Sequence, residues 1–262
     1  MTFEEATRVV AAGQGTWAWT VPEGWRQGRG AFGGLTLATL VRAASESPDA
    51  KDRALRTLTA EIPAAVASGA SNVRVETLRA GSGLSTLVAR VEQNGETVAH
   101  AVLSFGKTRV TDFDRVEIER PSPPPWSDLP IAPTMAPLTP EFADHVEFRV
   151  TRGLPFTGAR DAASEGWVRF REPGDAPRIV TLVGLVDAWY PAVLPTVTAP
   201  RPFGTTSFAA HFFDREWSAS EPLFHRSRLV ASQQGYFVEL RELFTPRGEI
   251  CAVNQQTMAV IR

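Results

Sequence analysis

The stretch "LSTLVARVEQNGETVAHAVLSFGK", residues 84–107, decides the class of fold. Two runs of alternating apolar and polar residues flank Asn94-Gly95. An Asn-Gly pair between two alternating runs is the strongest short-range signal for a β-hairpin, because both residues accept the left-handed conformation that a two-residue turn requires. Upstream, "ALRTLTAEI" and "NVRVETLRA" alternate in the same way, and before them "LTLATLVRAA" (35–44) places Leu37, Leu40, Val41 and Ala44 at helical spacing. The other side of that run is threonine and alanine rather than charge, so it predicts a helix buried on most sides. The unit is a helix followed by a largely antiparallel sheet. A short helix is also expected over residues 4–12, ahead of the extended, Trp-rich "GTWAWTVPEGWRQG".

Residues 115–142 carry eight prolines, which continue neither a helix nor an inner strand, and they are read as a connection. Beyond it the plan returns. "HVEFRV", "SEGWVRFRE", "TTSFAAHFFDR", "LFHRSRLVAS", "GYFVELRELFTP" and "ICAVNQQTMAVI" read as strands, and the apolar "IVTLVGLVDAWYPAVLP" leads into a second helix. Setting "NGETVAHAVLSFG" on "RGEICAVNQQTMA" aligns Gly95-Glu96 with Gly248-Glu249, an offset of 153 that carries Gly34 onto Asp187. A repeat of that length is one unit doubled. The expected division is an N-terminal unit over 1–114, the connection over 115–142 and a C-terminal unit over 143–262.

The chain has 262 residues, 43% apolar and 21% charged, with a formal net charge of -2, which gives no electrostatic case for nucleic acid or a membrane surface. No run reaches the length of a membrane span, and "MTFEEATRVV" does not read as a secretory signal. Cys251 is the single cysteine, and the histidines at 100, 145, 211 and 225 lack ligand spacing, so the reading is a cytoplasmic protein with no metal and no cofactor. Gly28, Gly30 and Gly33 meet the bare spacing of a dinucleotide fingerprint. Only antiparallel signals follow, however, and no Lys-Ser or Lys-Thr follows the glycines as a P-loop demands. Gly33 and Gly34 are read instead as allowing close backbone approach at the helix entry, with amide N–H groups pointing outward.

A buried helix along an antiparallel sheet, duplicated in one chain, resembles the acyl-CoA thioesterase family of the double hotdog type. The residues that carry the resemblance are "AFGGLTLATLVRAA", "VETLRAGSGLSTLVARVEQNGETVAHAVLSF", "LVDAWYPAVLP", "TTSFAAHFF" and "GEICAVNQQTMAV". It implies an α+β double hotdog, two units sharing one continuous sheet, and hydrolysis of an acyl-CoA or related thioester. It also implies catalytic roles for Asp187 at the start of the second helix, Thr206 and Gln256. Asp187 would take a proton from water, while Thr206 and Gln256 would orient that water. An amide at Gly33 or Gly34 would meet the oxyanion, with Phe32 beside it at the substrate, and the acyl chain would run against Leu37, Val41 and "FAAHFF". Thr205 and Gln255 stand next to the matched positions, and alternation allows only one of each pair to reach the site. Pro191, four residues after Asp187, requires the second helix to kink or to begin later. A homodimer is expected, since doubled sheets leave edges. The alternatives are a hotdog hydratase or dehydratase, which would need a histidine such as His211 facing the cleft, and a non-catalytic acyl-binding module.

Overall fold

The structure is a computed structural model, and it describes residues 1–261. The first unit runs through α1 (Phe3–Ala6), β1 (Val10–Gly13) and β2 (Thr16–Val21). A two-stranded ribbon follows, β3 (Arg26–Gln27) with β4 (Gly30–Ala31), and then α2 (Gly33–Ser45). Four long strands complete it: β5 (Ala54–Glu61), β6 (Gly69–Ala80), β7 (Leu84–Gln93) and β8 (Glu96–Gly106). The second unit holds β9 (Val146–Arg152), β10 (Ala163–Phe170), α3 (Arg178–Ala188), β11 (Phe203–Phe212), β12 (Leu223–Gln233), β13 (Tyr236–Phe244) and β14 (Ile250–Val260).

Twelve strands form one sheet in the order β1-β2-β6-β7-β8-β5-β11-β14-β13-β12-β10-β9. Read outward from the middle, the two halves have the same order, β5-β8-β7-β6-β2-β1 and β11-β14-β13-β12-β10-β9, so the molecule is a double hotdog. The join is the antiparallel pair β5–β11, with Phe208 opposite Ala60 and Ala210 opposite Leu58. The Asn94-Gly95 turn has φ of 52° and 83°, the left-handed pair that a tight hairpin needs.

Both helices lie on the inner face of the sheet and touch each other, α2 over β6, β7 and β8, α3 over β10, β13 and β14. Helix α2 is buried nearly all round, and its hydroxyls bond back to their own helix: Thr39 Oγ1 donates to the Leu35 carbonyl at 2.9 Å and Ser45 Oγ to the Val41 carbonyl at 2.8 Å. The buried Thr39 hydroxyl is thereby satisfied without a polar neighbour. Helix α1 is shorter than the sequence suggested. Residues 10–13 leave it to form an edge strand, and Arg42 of α2 holds α1 through the Glu4 carbonyl at 2.7 Å.

From Lys107 to Pro140 the chain has no strand and a single 3-10 turn, Trp126–Asp128. This segment packs on the outer face of the second unit, where Ile118, Trp126 and Leu129 join Trp167, Phe224, Phe244 and Ile250. Trp126 lies under two guanidinium groups, Arg149 at 4.2 Å and Arg169 at 4.8 Å from its ring centre. No helix among the described residues is long and apolar enough to cross a membrane.

Candidate active site

Asp187 does not start α3. It stands in its last turn, one residue before the helix ends at Ala188. Pro191 is thus a helix stop and not a kink: Trp189, the first residue beyond the helix, is already extended at ψ 145°. The offset of 153 that sets Asp187 on Gly34 matches strands correctly and helices wrongly, because α2 begins at residue 33 and α3 at residue 178.

The C-terminal end of α3 meets the N-terminal end of α2. A Cβ placed on Gly33 would lie 2.6 Å from Asp187 Oδ2, and one on Gly34 would lie 2.7 Å from the Gly184 carbonyl oxygen. Gly34 lets the two helices touch backbone to backbone, and Gly33 leaves room for the Asp187 carboxylate. The Gly34 amide faces the Asp187 carboxylate and favours its charged form. Gly33 keeps partial exposure. Phe32 does not line an opening, as expected of a substrate contact. It is fully buried, stacked on Phe142 at 3.9 Å. Leu37 and Val41 are likewise core residues, 1% and 0% exposed, and Phe208 and Phe212 face inward with them.

From the sheet, Gln256 Nε2 donates to Asp187 Oδ1 at 3.0 Å. Along β14 the residues Ala252, Asn254, Gln256 and Met258 are buried, whereas Gln255 is exposed, so strand alternation aims Gln256 at the aspartate. Thr205 Oγ1 donates to Gln256 Oε1 at 3.3 Å, which fixes the amide with its NH2 toward Asp187. Thr206, the matched hydroxyl, does not reach this cluster. It is exposed and donates to the Thr257 carbonyl at 3.1 Å. The cause is a bulge in β11: Thr205 pairs with Met258 and Ser207 with Thr257, leaving Thr206 unpaired. Counting by twos back from buried Phe208 gives Thr206, and the extra residue moves Thr205 onto the inner face instead.

Two further charged residues belong to the cluster. Arg241 and Glu239 on β13 are 1% and 0% exposed. Arg241 Nε donates to Glu239 Oε1 at 2.6 Å, and its Nη1 donates to the Val186 and Asp187 carbonyls at 3.1 and 3.2 Å. The same Nη1 is 3.9 Å from Asp187 Oδ1, and Glu239 Oε2 accepts from the Ala192 amide at 2.7 Å. The ion pair satisfies carbonyls that the helix end leaves without partners. A signal for it stands in "GYFVELRELF". Phe237 and Leu243 mark the buried face, and Glu239 and Arg241 share it by period two.

Burial pushes the Asp187 carboxyl above the usual aspartate range. Arg241, the Gln256 bond and the Gly34 amide oppose the shift, and Glu239 adds to it. Its side chain retains 9% exposure, so the carboxylate is nearly dry yet not sealed. The histidines stand elsewhere. His211 is exposed, His100 Nε2 is 2.8 Å from Glu61 Oε2 on partly exposed side chains, and His145 stacks on Trp25 at 4.0 Å. His225 is fully buried, stacked on Trp189, and held well below the usual histidine range by burial and by Arg241. None of the four contributes to the cluster around Asp187, which removes the feature a hotdog hydratase would need. Cys251 is buried too, its thiol pushed up to about 12. Among the described residues no group of histidine, cysteine or carboxylate side chains is arranged to hold a metal.

The sequence matches two family models, "Acyl-CoA thioesterase N-terminal domain" over residues 21–106 and "Acyl-CoA thioesterase C-terminal domain" over residues 118–260. No curated protein matches it. Among solved structures it is similar to a hot dog fold protein of unknown function from Alicyclobacillus acidocaldarius, at 25% identity and a TM-score of 0.88, covering 99% of this chain and 98% of that one. A candidate thioesterase II from Thermobifida fusca is 23% identical with a TM-score of 0.85, over 100% and 98% of the two chains. The acyl-CoA thioesterase II TesB2 of Mycobacterium marinum is 19% identical with a TM-score of 0.77, over 99% and 98%.

Proposed function

The chain belongs to the acyl-CoA thioesterase family, and we propose that it hydrolyses an acyl-CoA thioester with a water activated by Asp187. Thioesterase-type chemistry on acyl thioesters follows from membership; the substrate's thiol and the residues that act are our reading. The observation that carries it is the bond from Gln256 Nε2 to Asp187 Oδ1, at a point where a helix end, a helix start and three strands converge.

In this mechanism Asp187 accepts a proton as the water oxygen bonds to the thioester carbonyl carbon. The tetrahedral oxyanion is met by the Gly33 amide, an orphan donor of the first turn of α2. Collapse breaks the carbon–sulfur bond, and the proton held by Asp187 passes to the departing thiolate, so acid and free thiol leave and the carboxylate is restored. Gln256 holds the water through its remaining amide hydrogen, and Thr205 holds Gln256. A carboxyl raised by burial is the stronger base, which suits it to take a proton from water near neutral pH. The enzyme works in the cytoplasm as a homodimer, with β1 and β9 as the free sheet edges that such an assembly protects.

The test is thiol release from a panel of acyl-CoAs, comparing the native chain with D187N. General-base catalysis contributes about 10²–10⁴-fold, so kcat should fall by that range with KM little changed. Equal rates would overturn the assignment of Asp187. No turnover by the native chain on any acyl-CoA would leave an acyl-binding module in its place.

A further inference from the structure

The cluster around Asp187 holds two carboxylates and one guanidinium, all nearly or fully buried, and the guanidinium is shared unequally. Glu239 Oε1 takes Arg241 Nε at 2.6 Å, and Asp187 Oδ1 is left with Nη1 at 3.9 Å. Glu239 is fixed in that position from its other side, where Oε2 accepts from the Ala192 amide at 2.7 Å. Arg241 Nη1 also donates to the Val186 and Asp187 carbonyls, which keeps the guanidinium beside Asp187 and within reach of its carboxylate. We propose that Glu239 is a positioning residue for the reaction: by holding Arg241 to itself it keeps the cation from pairing closely with Asp187, and so leaves Asp187 as the basic carboxylate of the cluster.

The proposal rests on the reading of Asp187 as the base. A buried carboxylate that accepts a bidentate or close arginine pair becomes a poor proton acceptor, because the cation stabilises its charged form. One with no cation at all could not stay ionised in a dry site. An arginine at intermediate distance, detained by a second acid, avoids both extremes. The charged groups facing Asp187 are Arg241 and Glu239, both on β13. The other elements around it present neutral groups, Gln256 from β14, Thr205 through Gln256 from β11, and the Gly34 amide from α2. His225 on β12 is close enough to sense Arg241 and is uncharged, since burial holds it well below the usual range.

The experiment is the pH dependence of kcat for acyl-CoA hydrolysis by the native chain, E239Q and D187N. Removing the Glu239 charge frees Arg241 to close on Asp187, so the acid limb should move to lower pH by about one unit, given Coulomb's law at an effective dielectric of about 20. The plateau should fall about threefold as the base weakens. A residue with only a structural role would lower the rate without moving the limb. An unmoved limb in E239Q, with D187N inactive, overturns this proposal and leaves Asp187 as the base. Full activity in D187N overturns both. If E239Q does not fold, E239D, which keeps the charge but draws it back from Arg241, is read in the same assay. A smaller shift in the same direction supports the proposal, and an unmoved limb overturns it.

Discussion

Gly33→Ala should separate catalysis from stability. The added methyl would stand 2.6 Å from Asp187 Oδ2 and 3.4 Å from Ile62 Cδ1, and ordinary contact begins near 3.4 Å, so the carboxylate must retreat by about 0.8 Å. Overpacking of this kind costs about 1–3 kcal/mol where nothing yields. Here the neighbour is the far end of a side chain rather than backbone, and replacing a helical glycine by alanine returns about 0.5–1 kcal/mol. The net loss of stability should therefore be about 1 kcal/mol or less. The rate should suffer far more. A displacement of about 1 Å at a reacting group can cost about 100-fold, so 0.8 Å predicts a fall in kcat of about fiftyfold, equivalent to about 2 kcal/mol of barrier. The assay is free-thiol release from acyl-CoA, with kcat and KM resolved separately, beside a thermal melt of the same preparation. A Gly33→Ala protein with native kcat would refute the reasoning, and so would a loss confined to KM, because either result means that the position of the carboxylate does not govern the chemical step.

Thr205→Val removes the hydroxyl that fixes Gln256 and should lower kcat about fivefold, whereas Thr206→Val, on the exposed side of the bulge, should stay within about twofold of native in the same assay. Asp187→Asn should raise the melting temperature at pH 8. The folded carboxyl is held above its unfolded value, so its contribution to stability is complete below the unfolded value of about 4 and is lost as pH rises through the folded one. Asparagine avoids that loss, and the gap between the two proteins should narrow toward pH 3. A lower melt for Asp187→Asn at pH 8 would mean that attraction to Arg241 outweighs the cost of burial.

The parts of the fold that obey local rules could be read from the chain. Leu87, Ala89 and Val91 alternate with Val88, Arg90 and Glu92, Asn94-Gly95 turns them, and the same plan recurs up to Gln256. Gln256, Glu239 and Arg241 lie where period two puts them, which is why a buried neighbour on the same strand separates Gln256 from Gln255. The failures have physical causes. A bulge is an extra residue with no composition of its own, so nothing in "PFGTTSF" distinguishes Thr205 from Thr206. The apolar run before Asp187 is uniform enough that neither end of the helix announces itself, and Pro177 at its start provides no side-chain cap. Glu239 and Arg241 share a strand face with Phe237 and Leu243, yet an acid and a base two residues apart suit a solvated face equally well, so the sequence does not announce their burial.

That buried pair bears on how the doubled fold divides its work. By sheet order β7 corresponds to β13 and β8 to β14. In the first unit the inner positions of this pair are Leu87, Ala89 and Val91 facing Ala99, Ala101 and Leu103, all buried and apolar. In the second, the corresponding strands bury Glu239 and Arg241 beside Asn254 and Gln256. Burying such groups is costly even when they are paired, and apolar residues of similar volume are often as stable or more so. The cost of the charged pair falls on one half, while the other keeps apolar residues at these positions and contributes the glycine-led start of α2 that the carboxylate faces. Two copies allow this asymmetry. A single unit would have to carry the polar cluster and the stabilising core on the same six strands. The arrangement also predicts where change is tolerated: enlarging or shrinking inner residues of β7 and β8 should move the melt and leave the pH profile alone, whereas changes on β13 and β14 should move the profile first.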